Sequence, residues 1–374
     1  GELECAFSAA GRVTPHGHPA PRFLAVTGTN GKSTTTTLLY EMMRNAGYGV
    51  LLCGNIGVSV SEALLASGLA DVGAAFRRAI DFFVVEVSSF QLDSVETFRP
   101  SGATILNVAP DHLDRYRGMD AYVASKSRIF ENQGSPDVLV LNADDPFAPE
   151  LDLKWEGLSE LPDVYYFSRK QVVRGAYTAG SKVVLSFGGT EHSIDISTFG
   201  IRGAHNVENA MAASLLALTA GAGIDAVEKA LREFRGLEHR MELVREVDGV
   251  QYVNDSKGTN VAAVMKSLES YTQPVILIAG GRDKDGDFNL LREPVREKVK
   301  TLILIGEAAH KISEALGDMT RTVYADSLKE AVATARAHAV PGDIVLLSPA
   351  CASFDMFRNY EDRGDQFKML VRSL

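Results

Sequence analysis

The stretch AVTGTNGKSTTTTLLYEMMRNAG, residues 25–47, restricts the fold of this chain more than any other part of it. It overlaps the apolar run at residues 23–26, which predicts a short buried strand, and apolar residues then recur at helical spacing from Leu38 to Ala46. Gly47 has the position of a glycine that ends a helix. The order of strand, glycine-rich turn and helix predicts the first unit of an α/β fold.

The glycine-rich turn has the chemistry of a phosphate-binding loop. Gly28 and Gly31 let backbone N–H groups approach an anion, and the N-terminus of the following helix adds a favourable dipole. Lys32 can reach terminal phosphates, and Ser33 or Thr34 can bind Mg²⁺. The usual spacing of such loops places glycine at position 26, where this chain has valine, so the loop is the variant G-T-N-G-K-S-T. A plain glycine-rich connection is the alternative.

Composition and charge exclude several classes of protein. The 374 residues suffice for two or three domains, and the 45% hydrophobic and 23% charged content is ordinary for a globular protein. A net charge of −10 argues against general binding to nucleic acid or anionic membranes. No apolar run reaches transmembrane length, and three cysteines without metal-ligand spacing fit a reducing compartment. We therefore expect a cytoplasmic protein that neither inserts into a membrane nor binds nucleic acid.

Apolar runs alternate with helical patterns and predict two α/β domains. Continuous runs such as FFVVEV (82–87) and ATILNV (103–108) are typical of a parallel sheet that is covered on both faces. Further strands are predicted at 137–142, 164–167, 183–187, 250–254, 274–281, 300–306 and 343–349, and helices at 206–218 and 327–339. We expect a first domain at residues 1–236, with a mostly parallel sheet, and a Rossmann-like second domain at residues 237–374.

Polar side chains follow the predicted strands of the first domain, where ligand sites of open α/β sheets gather. Glu86 is well placed to bind Mg²⁺ opposite a phosphate loop, although a buried glutamate paired with a neighbour is the alternative. The next strand is followed by Asn107, Asp111, His112 and Asp114. Two carboxylates there favour a metal or phosphate site over a surface histidine. Lys126, on the next helix, would by itself be typical of a solvated charge.

Two asparagines and three further polar loops complete the pattern. Asn206 and Asn209 lie three residues apart on one helical face, and helix capping would explain Asn206 but not both. In the second domain each polar loop accompanies a predicted strand. The loops contain Arg240, Asp255, Ser256, Lys257, Thr259 and Asn260, then Lys284, and finally Ser348, Ser353, Asp355, Arg358 and Tyr360.

Taken in order, these motifs resemble the Mur ligase family of ATP-dependent amide-bond-forming enzymes over nearly the whole chain. The resemblance rests on G-T-N-G-K-S-T, E-V-S-S-F-Q-L, N-V-A-P-D-H-L-D-R-Y, G-x-H-N-x-x-N, H-R, N-D-S-K-G-T-N, G-G-R-D-K and S-P-A-C-A-S-F-D. EVSSFQLD and LLSPACASFDMFRNYEDRG look most like the members that add D-glutamate to a UDP-linked muramoyl-alanine in peptidoglycan precursor synthesis. The D-N-P-R motif typical of the diaminopimelate-adding members does not occur in the sequence.

The resemblance implies a reaction through an acyl phosphate, with ATP and two Mg²⁺ ions, in a monomer. Lys32, His112 and Lys126 would be catalytic, and Lys126 would be carbamylated so that it can bind metal. The implied metal ligands are Ser33, Glu86, His112 and Lys126. The implied ATP-binding residues are Gly28, Thr29, Asn30, Gly31, Lys32, Ser33, Thr34, Asn206, Asn209, Arg240 and Asp255. The implied residues for the muramoyl-alanine substrate and D-glutamate are Asn55, Ser88, His112, Thr259, Lys284, Ser353 and Tyr360.

The sequence departs from the family pattern in two ways. Tyr360 stands where we expect phenylalanine, which adds a hydroxyl beside the D-glutamate position. The phosphate loop begins near residue 28, so we expect the family's N-terminal UDP-binding domain to be absent from this chain. Alternatives are a folylpolyglutamate synthase-like ligase, a P-loop kinase or nucleotide-driven switch, or a chain that binds ATP without ligating.

Overall fold

The computed structural model describes residues 1–12, 19–56, 58–66, 80–111, 115–148 and 161–374. The chain divides into two compact units, Gly1–Arg235 and Gly236–Leu374, and each unit has its own β-sheet. Within the described ranges, no helix is long and apolar enough to cross a membrane.

The first unit is built on a nine-stranded sheet. Its strands are β1 (Arg22–Thr27), β2 (Val50–Gly54), β3 (Phe82–Glu86), β4 (Gly102–Ile105), β5 (Val138–Asn142), β6 (Asp163–Ser168), β7 (Gly175–Ala179), β8 (Lys182–Phe187) and β9 (Thr190–Asp195). The spatial order is β2-β3-β1-β4-β5-β6-β7-β8-β9, with parallel pairing from β2 to β7 and antiparallel pairing of β8 with β7 and β9. The expected mostly parallel sheet is confirmed.

Helices cover both faces of this sheet. They are α1 (Glu2–Arg12), α2 (Lys32–Asn45), α3 (Val60–Ala66), α4 (Ser89–Leu92), α5 (Met119–Ser127), α6 (Ala204–Thr219) and α7 (Ile224–Glu233), with 3₁₀ turns at Arg128–Phe130 and Ile196–Thr198. One core cluster lies under α2, α6 and α7, and a second lies under α1, α3 and α5. Every residue of β3 is buried, which explains why its sequence is continuously apolar up to Glu86.

The second unit has a six-stranded sheet between two helical layers. Its strands are β10 (Glu242–Val247), β11 (Val250–Asn254), β12 (Val275–Gly280), β13 (Val299–Ile305), β14 (Arg321–Tyr324) and β15 (Ile344–Leu347). Its helices are α8 (Val261–Glu269), α9 (Arg292–Lys298), α10 (Ala309–Leu316), α11 (Leu328–His338) and α12 (Tyr360–Arg372), with a 3₁₀ turn at Phe288–Leu291. The order is β10-β11-β15-β12-β13-β14, and only β10 is antiparallel to its neighbour.

The predicted strand at 103–108 is wrong in its second half, because β4 ends at Ile105. Beyond this point the backbone leaves the regular ladder and follows the phosphate loop. Leu106 donates its N–H to Thr27 O at 3.0 Å, and Asn107 O accepts the N–H of Thr29 at 2.9 Å. The apolar character continues because Leu106 and Val108 remain buried, although they are no longer in a strand.

Candidate functional site

The phosphate loop lies at the carboxyl end of β1, between β3 and β4. The connection from β1 leads to β2 on one side, whereas the connection from β3 crosses to β4 on the other side of β1, and such a reversal of strand order creates the crevice where α/β proteins bind ligands. Gly31 caps α2 in a left-handed conformation, with φ of 86°, and no side chain caps the helix there. A Cβ at Gly31 would lie 2.3 Å from Asn209 Oδ1, so only glycine fits. The helix therefore presents its first N–H groups as an anion site.

Lys32 is held against the loop that precedes it. Its Nζ donates to Gly28 O at 2.8 Å and to Thr29 O at 2.9 Å, which keeps the ammonium beside the loop backbone. The loop thus combines a fixed cation with a helix N-terminus, and both features favour a polyphosphate.

Glu86 meets the loop from the neighbouring strand. It is 2% exposed, and its Oε1 accepts a hydrogen bond from Asn55 Nδ2 at 2.9 Å. Its Oε2 is buried and has no hydrogen-bond partner among the described residues, and the same holds for Thr34 Oγ1. A buried carboxylate oxygen without a donor is costly unless a cation satisfies it, and oxygen donors are what Mg²⁺ requires. Ser33, which is also buried at the start of α2, has a hydroxyl oxygen of the kind that this ion binds.

Lys126 is buried beside the loop rather than solvated, so the ordinary expectation for a lysine on a helix is wrong here. The residue is 1% exposed, and its Nζ lies 4.4 Å from the centre of the Tyr122 ring. Burial lowers the pKa of this amine well below its ordinary value, the charge of Lys32 lowers it further, and Asp111 opposes both. Tyr122 connects the lysine to the loop, because its hydroxyl lies 3.3 Å from Thr29 Oγ1.

His112 and Asp114 lie outside the residues that the structure describes. Among the described residues there is no cluster of three or more histidine, cysteine, aspartate or glutamate side chains that could hold a metal ion. The metal roles of His112 and Lys126 therefore remain predictions.

Asn206 and Asn209 approach the loop from the first turns of α6. Asn209 Oδ1 accepts the hydroxyl of Thr35 at 3.2 Å and contacts Gly31, while its Nδ2 donates to Asn206 Oδ1 at 3.2 Å. Asn206 in turn donates to Arg202 O at 2.7 Å. Gly203, not Asn206, caps the helix. The capping alternative is therefore wrong, and α6 brings the Asn209 amide to α2 with Asn206 hydrogen-bonded to it.

Asn55 and Ser88 both lie close to Glu86. Ser88 follows it by two residues in the chain, and Asn55 follows β2, the strand that pairs with β3. Asn55 donates its backbone N–H to Glu86 O at 2.8 Å in addition to its side-chain bond. Ser88 caps α4 in a capping box with Gln91, and its hydroxyl accepts the Gln91 N–H at 3.3 Å. Both side chains thus have structural partners in addition to any role with a substrate.

In the second unit, Asp255 is the centre of a buried polar cluster. Its Oδ2 accepts the hydroxyl groups of Ser267 and Ser348, both at 2.7 Å, and its Oδ1 accepts the Met241 N–H at 3.3 Å. Burial raises the pKa of Asp255, and the hydroxyl bonds and Arg240 oppose this effect. Arg240 lies between two residues in left-handed conformation, His239 and Met241, with φ of 62° and 48°.

Of the predicted D-glutamate residues, Thr259, Lys284 and Ser353 lie in loops at the carboxyl ends of β11, β12 and β15, and Tyr360 is the first residue of α12. The loop of Lys284 is tied to that of Ser353, since Arg282 and Ala352 exchange two backbone hydrogen bonds of 2.9 Å. Lys284 is exposed and Ser353 is buried. Lys257 Nζ lies 5.4 Å from the centre of the Tyr360 ring. Thr259 is held near this pair through its N–H bond of 2.9 Å to Lys257 O.

Arg363 is a buried residue between two of the polar loops that the sequence did not single out. It is fully buried, and its guanidinium donates to Ser256 Oγ and Ser256 O at 2.9 Å and to Cys351 O at 3.3 Å. Burial lowers the pKa of Arg363 to about 10. The side chain therefore joins α12 to two of the polar loops. One signal was available, because Arg363 falls on the helical stripe of Gly364, Phe367 and Val371, where an arginine is unusual.

Comparison with known proteins identifies the class. The model of the Mur ligase middle domain matches residues 26–217, and that of the Mur ligase glutamate ligase domain matches residues 239–351. The chain belongs to the Mur ligase family. It is 46% identical over 354 residues to the UDP-N-acetylmuramoylalanine--D-glutamate ligase of Pelotomaculum thermopropionicum, covering 94% of this chain and 75% of that protein. It is also 46% identical to the ligase of the same name from Geotalea uraniireducens, covering 95% and 76%.

Solved structures share the fold at lower sequence identity. MurF ligase from Thermotoga maritima, solved in complex with ADP, aligns with a TM-score of 0.71 at 17% identity and covers 100% of this chain and 84% of that chain. A pseudomurein peptide ligase type C from Methanothermus fervidus aligns with a TM-score of 0.69 at 19% identity, covering 94% and 79%. At these identities the likeness is one of fold.

Proposed function

We propose that this chain provides the ATP-dependent ligation of D-glutamate to the alanine carboxylate of UDP-N-acetylmuramoyl-L-alanine, a step of peptidoglycan precursor synthesis. The observation that supports this most directly is 46% identity, extending over both units, to proteins named for that reaction. The phosphate loop, the buried Glu86 and the buried Lys126 supply the groups that such chemistry needs in the first unit.

The reaction proceeds in two steps, and neither step needs an oxidant or a reductant. The alanine carboxylate attacks the γ-phosphorus of ATP, giving an acyl phosphate and ADP. The unprotonated amine of D-glutamate then attacks the acyl carbon and loses one proton, and the tetrahedral intermediate expels phosphate as the amide forms. The first step brings a carboxylate against a polyanion, so positive charge must be present around the transferring phosphoryl group.

In the first unit, the loop residues Gly28 to Thr34 hold the phosphates and Lys32 neutralises the terminal one. Ser33 and Glu86 would hold one Mg²⁺, which fits the unpartnered Glu86 oxygen, and His112 and Lys126 would hold the second. When bound, the metal neutralises phosphate charge and fixes its geometry. Asn206 and Asn209 would contact the nucleotide beyond the phosphates.

Lys126 suits carbamylation because of its burial. An ammonium group has no lone pair and cannot bind a metal ion, whereas the neutral amine can add to CO₂ to give a carbamate and release a proton. The lowered pKa of Lys126 increases the fraction of neutral amine at neutral pH. The resulting anion would be an oxygen ligand beside the phosphate loop.

The remaining contacts follow the family pattern. Arg240 and Asp255 would meet ATP. Asn55, Ser88 and His112 would contact the muramoyl-alanine substrate. Thr259, Lys284, Ser353 and Tyr360 would bind D-glutamate, and the cation–π pairing of Lys257 with Tyr360 supports a cationic environment there.

The test is phosphate release by the protein in its full encoded length, with each glutamate enantiomer and with either the UDP-linked substrate or a folate as acceptor. We expect release that requires D-glutamate and the UDP-linked substrate. Release with L-glutamate and folate would assign a folylpolyglutamate synthase-like reaction instead. Hydroxylamine added before D-glutamate should trap the acyl phosphate as a hydroxamate, whereas a kinase for hydroxyl groups or a nucleotide switch would form none.

A further inference from the structure

The side chain of Asn107 pairs with the backbone of the phosphate loop. Its Oδ1 accepts the N–H of Asn30 at 2.9 Å, and its Nδ2 donates to the C=O of the same residue at 3.0 Å. Asn107 O also accepts the N–H of Thr29 at 2.9 Å. One residue of the segment after β4 thus satisfies three backbone groups in the middle of the loop.

The segment that contains Asn107 is itself fixed. Ala109 exchanges two bonds with the hydroxyl of Thr29, donating its N–H at 3.0 Å and accepting through its carbonyl at 3.2 Å. Asp145, in the turn after β5, accepts the Val108 N–H at 2.8 Å. A Cβ at Gly28 would lie 3.0 Å from Leu106 Cβ, so the segment lies tightly against the loop.

We propose that Asn107 is a positioning residue for the phosphate loop, which sets the direction of the Asn30–Gly31 peptide and thereby of the N–H groups that meet ATP. The proposal rests on the nucleotide use proposed above. Bonds to both backbone groups of Asn30 restrict the peptide planes on either side of it. Those planes lead directly to Gly31 and Lys32, which begin α2.

The amide makes this pair of bonds because it has an acceptor and a donor on one planar group. A carboxylate of the same size accepts the Asn30 N–H but places its second oxygen against the Asn30 carbonyl oxygen. It also adds a negative charge beside the phosphate site. A leucine of similar size makes neither bond and leaves both backbone groups without their partner.

The experiment compares N107D and N107L with N132D and N132L. Asn132 is a matched control, because it is also half-buried and its Nδ2 donates to two backbone carbonyls, Glu96 O at 3.0 Å and Phe98 O at 3.2 Å. Steady-state kinetics on the full-length protein would give KM for ATP and for D-glutamate separately. We expect both Asn107 variants to raise KM for ATP by about tenfold or more, with KM for D-glutamate changed by less than about twofold.

Hydrogen exchange measures the protection of the backbone amides in the loop itself. Amides of residues 28–33 should exchange faster in N107D than in the wild type, while those of N132D stay unchanged. The proposal would be overturned if N107D had the wild-type KM for ATP and the wild-type exchange rates. Equal increases in KM for ATP and for D-glutamate would also overturn it, because they indicate a general loss of structure. The variant Lys32→Ala distinguishes the two proposals. If Lys32→Ala retains ATP turnover, the proposed function is wrong. If Lys32→Ala loses turnover while both Asn107 variants behave as the wild type, only the positioning role of Asn107 is wrong.

Discussion

At the scale of single residues, four buried charged groups stand out among the candidate site residues and their neighbours. Glu86, Lys126, Asp255 and Arg363 are each at most 4% exposed, although ionised groups are costly to bury unless they have partners. Asp255 and Arg363 have several hydrogen bonds. Glu86 keeps one oxygen without a described partner, and Lys126 lies against an aromatic ring. The latter two are the groups that the proposed reaction uses for metal.

The burial of Lys126 predicts a pH-dependent stability. Its folded-state pKa is lowered, so between that pKa and about 10.4 the unfolded state binds more protons and stability rises with pH. We expect Lys126→Met to increase the free energy of unfolding at pH 7 by about 1 kcal/mol or more, with the gain shrinking towards pH 10. Urea unfolding in CO₂-free buffer measures this. The exposed Lys329, changed to methionine, should show no such gain, and a gain independent of pH would contradict the explanation.

Activity should depend on Lys126 in a different way. Lys126→Ala should lower kcat by about 10²-fold or more, because an oxygen ligand beside the phosphates is lost. Formate or acetate should restore part of the rate by occupying the space of the carbamate. The comparison is Lys32→Ala, whose missing cation no carboxylate can replace. Full activity in Lys126→Ala would exclude a carbamylated ligand at this position.

Lys32→Ala should lower the rate of ATP turnover by about 10²-fold or more, because the terminal phosphate loses its cation. The fold should persist, since the two hydrogen bonds described for its Nζ go to carbonyls of its own loop. Circular dichroism and phosphate release measure the two effects. Lys329→Ala, at an exposed position of α11, serves as the control and should keep the wild-type rate. Near-normal turnover in Lys32→Ala would show that the loop does not bind the transferred phosphate.

At the scale of elements, the glycines at the two ends of α2 allow a matched comparison of alanine substitutions. Gly31 and Gly47 have similar conformations, with φ of 86° and 92°, but a Cβ would meet Asn209 at Gly31 and nothing within 4 Å at Gly47. The left-handed backbone alone should make alanine cost about 1–2 kcal/mol of stability at Gly47, and the cost should be larger at Gly31, where Asn209 must also shift. Only Gly31→Ala should also raise KM for ATP, by about tenfold or more. Equal KM values in the two variants would mean that the start of α2 does not contact the nucleotide.

The elements themselves were largely predictable. The central strands of both sheets and the helix at α6 were expected within one or two residues, because burial on both faces makes these strands continuously apolar. The end of β4 was not, since its apolar run continues into the segment that pairs with the loop. Edge strands such as β14, with half-exposed or exposed residues throughout, have no such run and were missed.

At the scale of the whole molecule, each unit has its own sheet and its own core clusters. We therefore expect residues 236–374, produced alone, to unfold cooperatively in urea with a free energy of about 5–10 kcal/mol. A fragment starting at residue 256 is the control. It lacks β10 and β11 and leaves β15 at an edge, so it should not fold cooperatively. A molten or insoluble 236–374 fragment would show that the second unit depends on the first.

Local patterns were enough to predict the α/β class and the phosphate loop, because apolar runs and a glycine–lysine turn act over a few residues. The burial of Lys126, the pairing of Asn107 with Asn30 and the place of Arg363 between two loops were not predictable in this way. They depend on which strands and helices become neighbours, for example on β1 lying between β3 and β4. That arrangement follows from the packing of distant segments, and the environment of each of these polar groups follows from it.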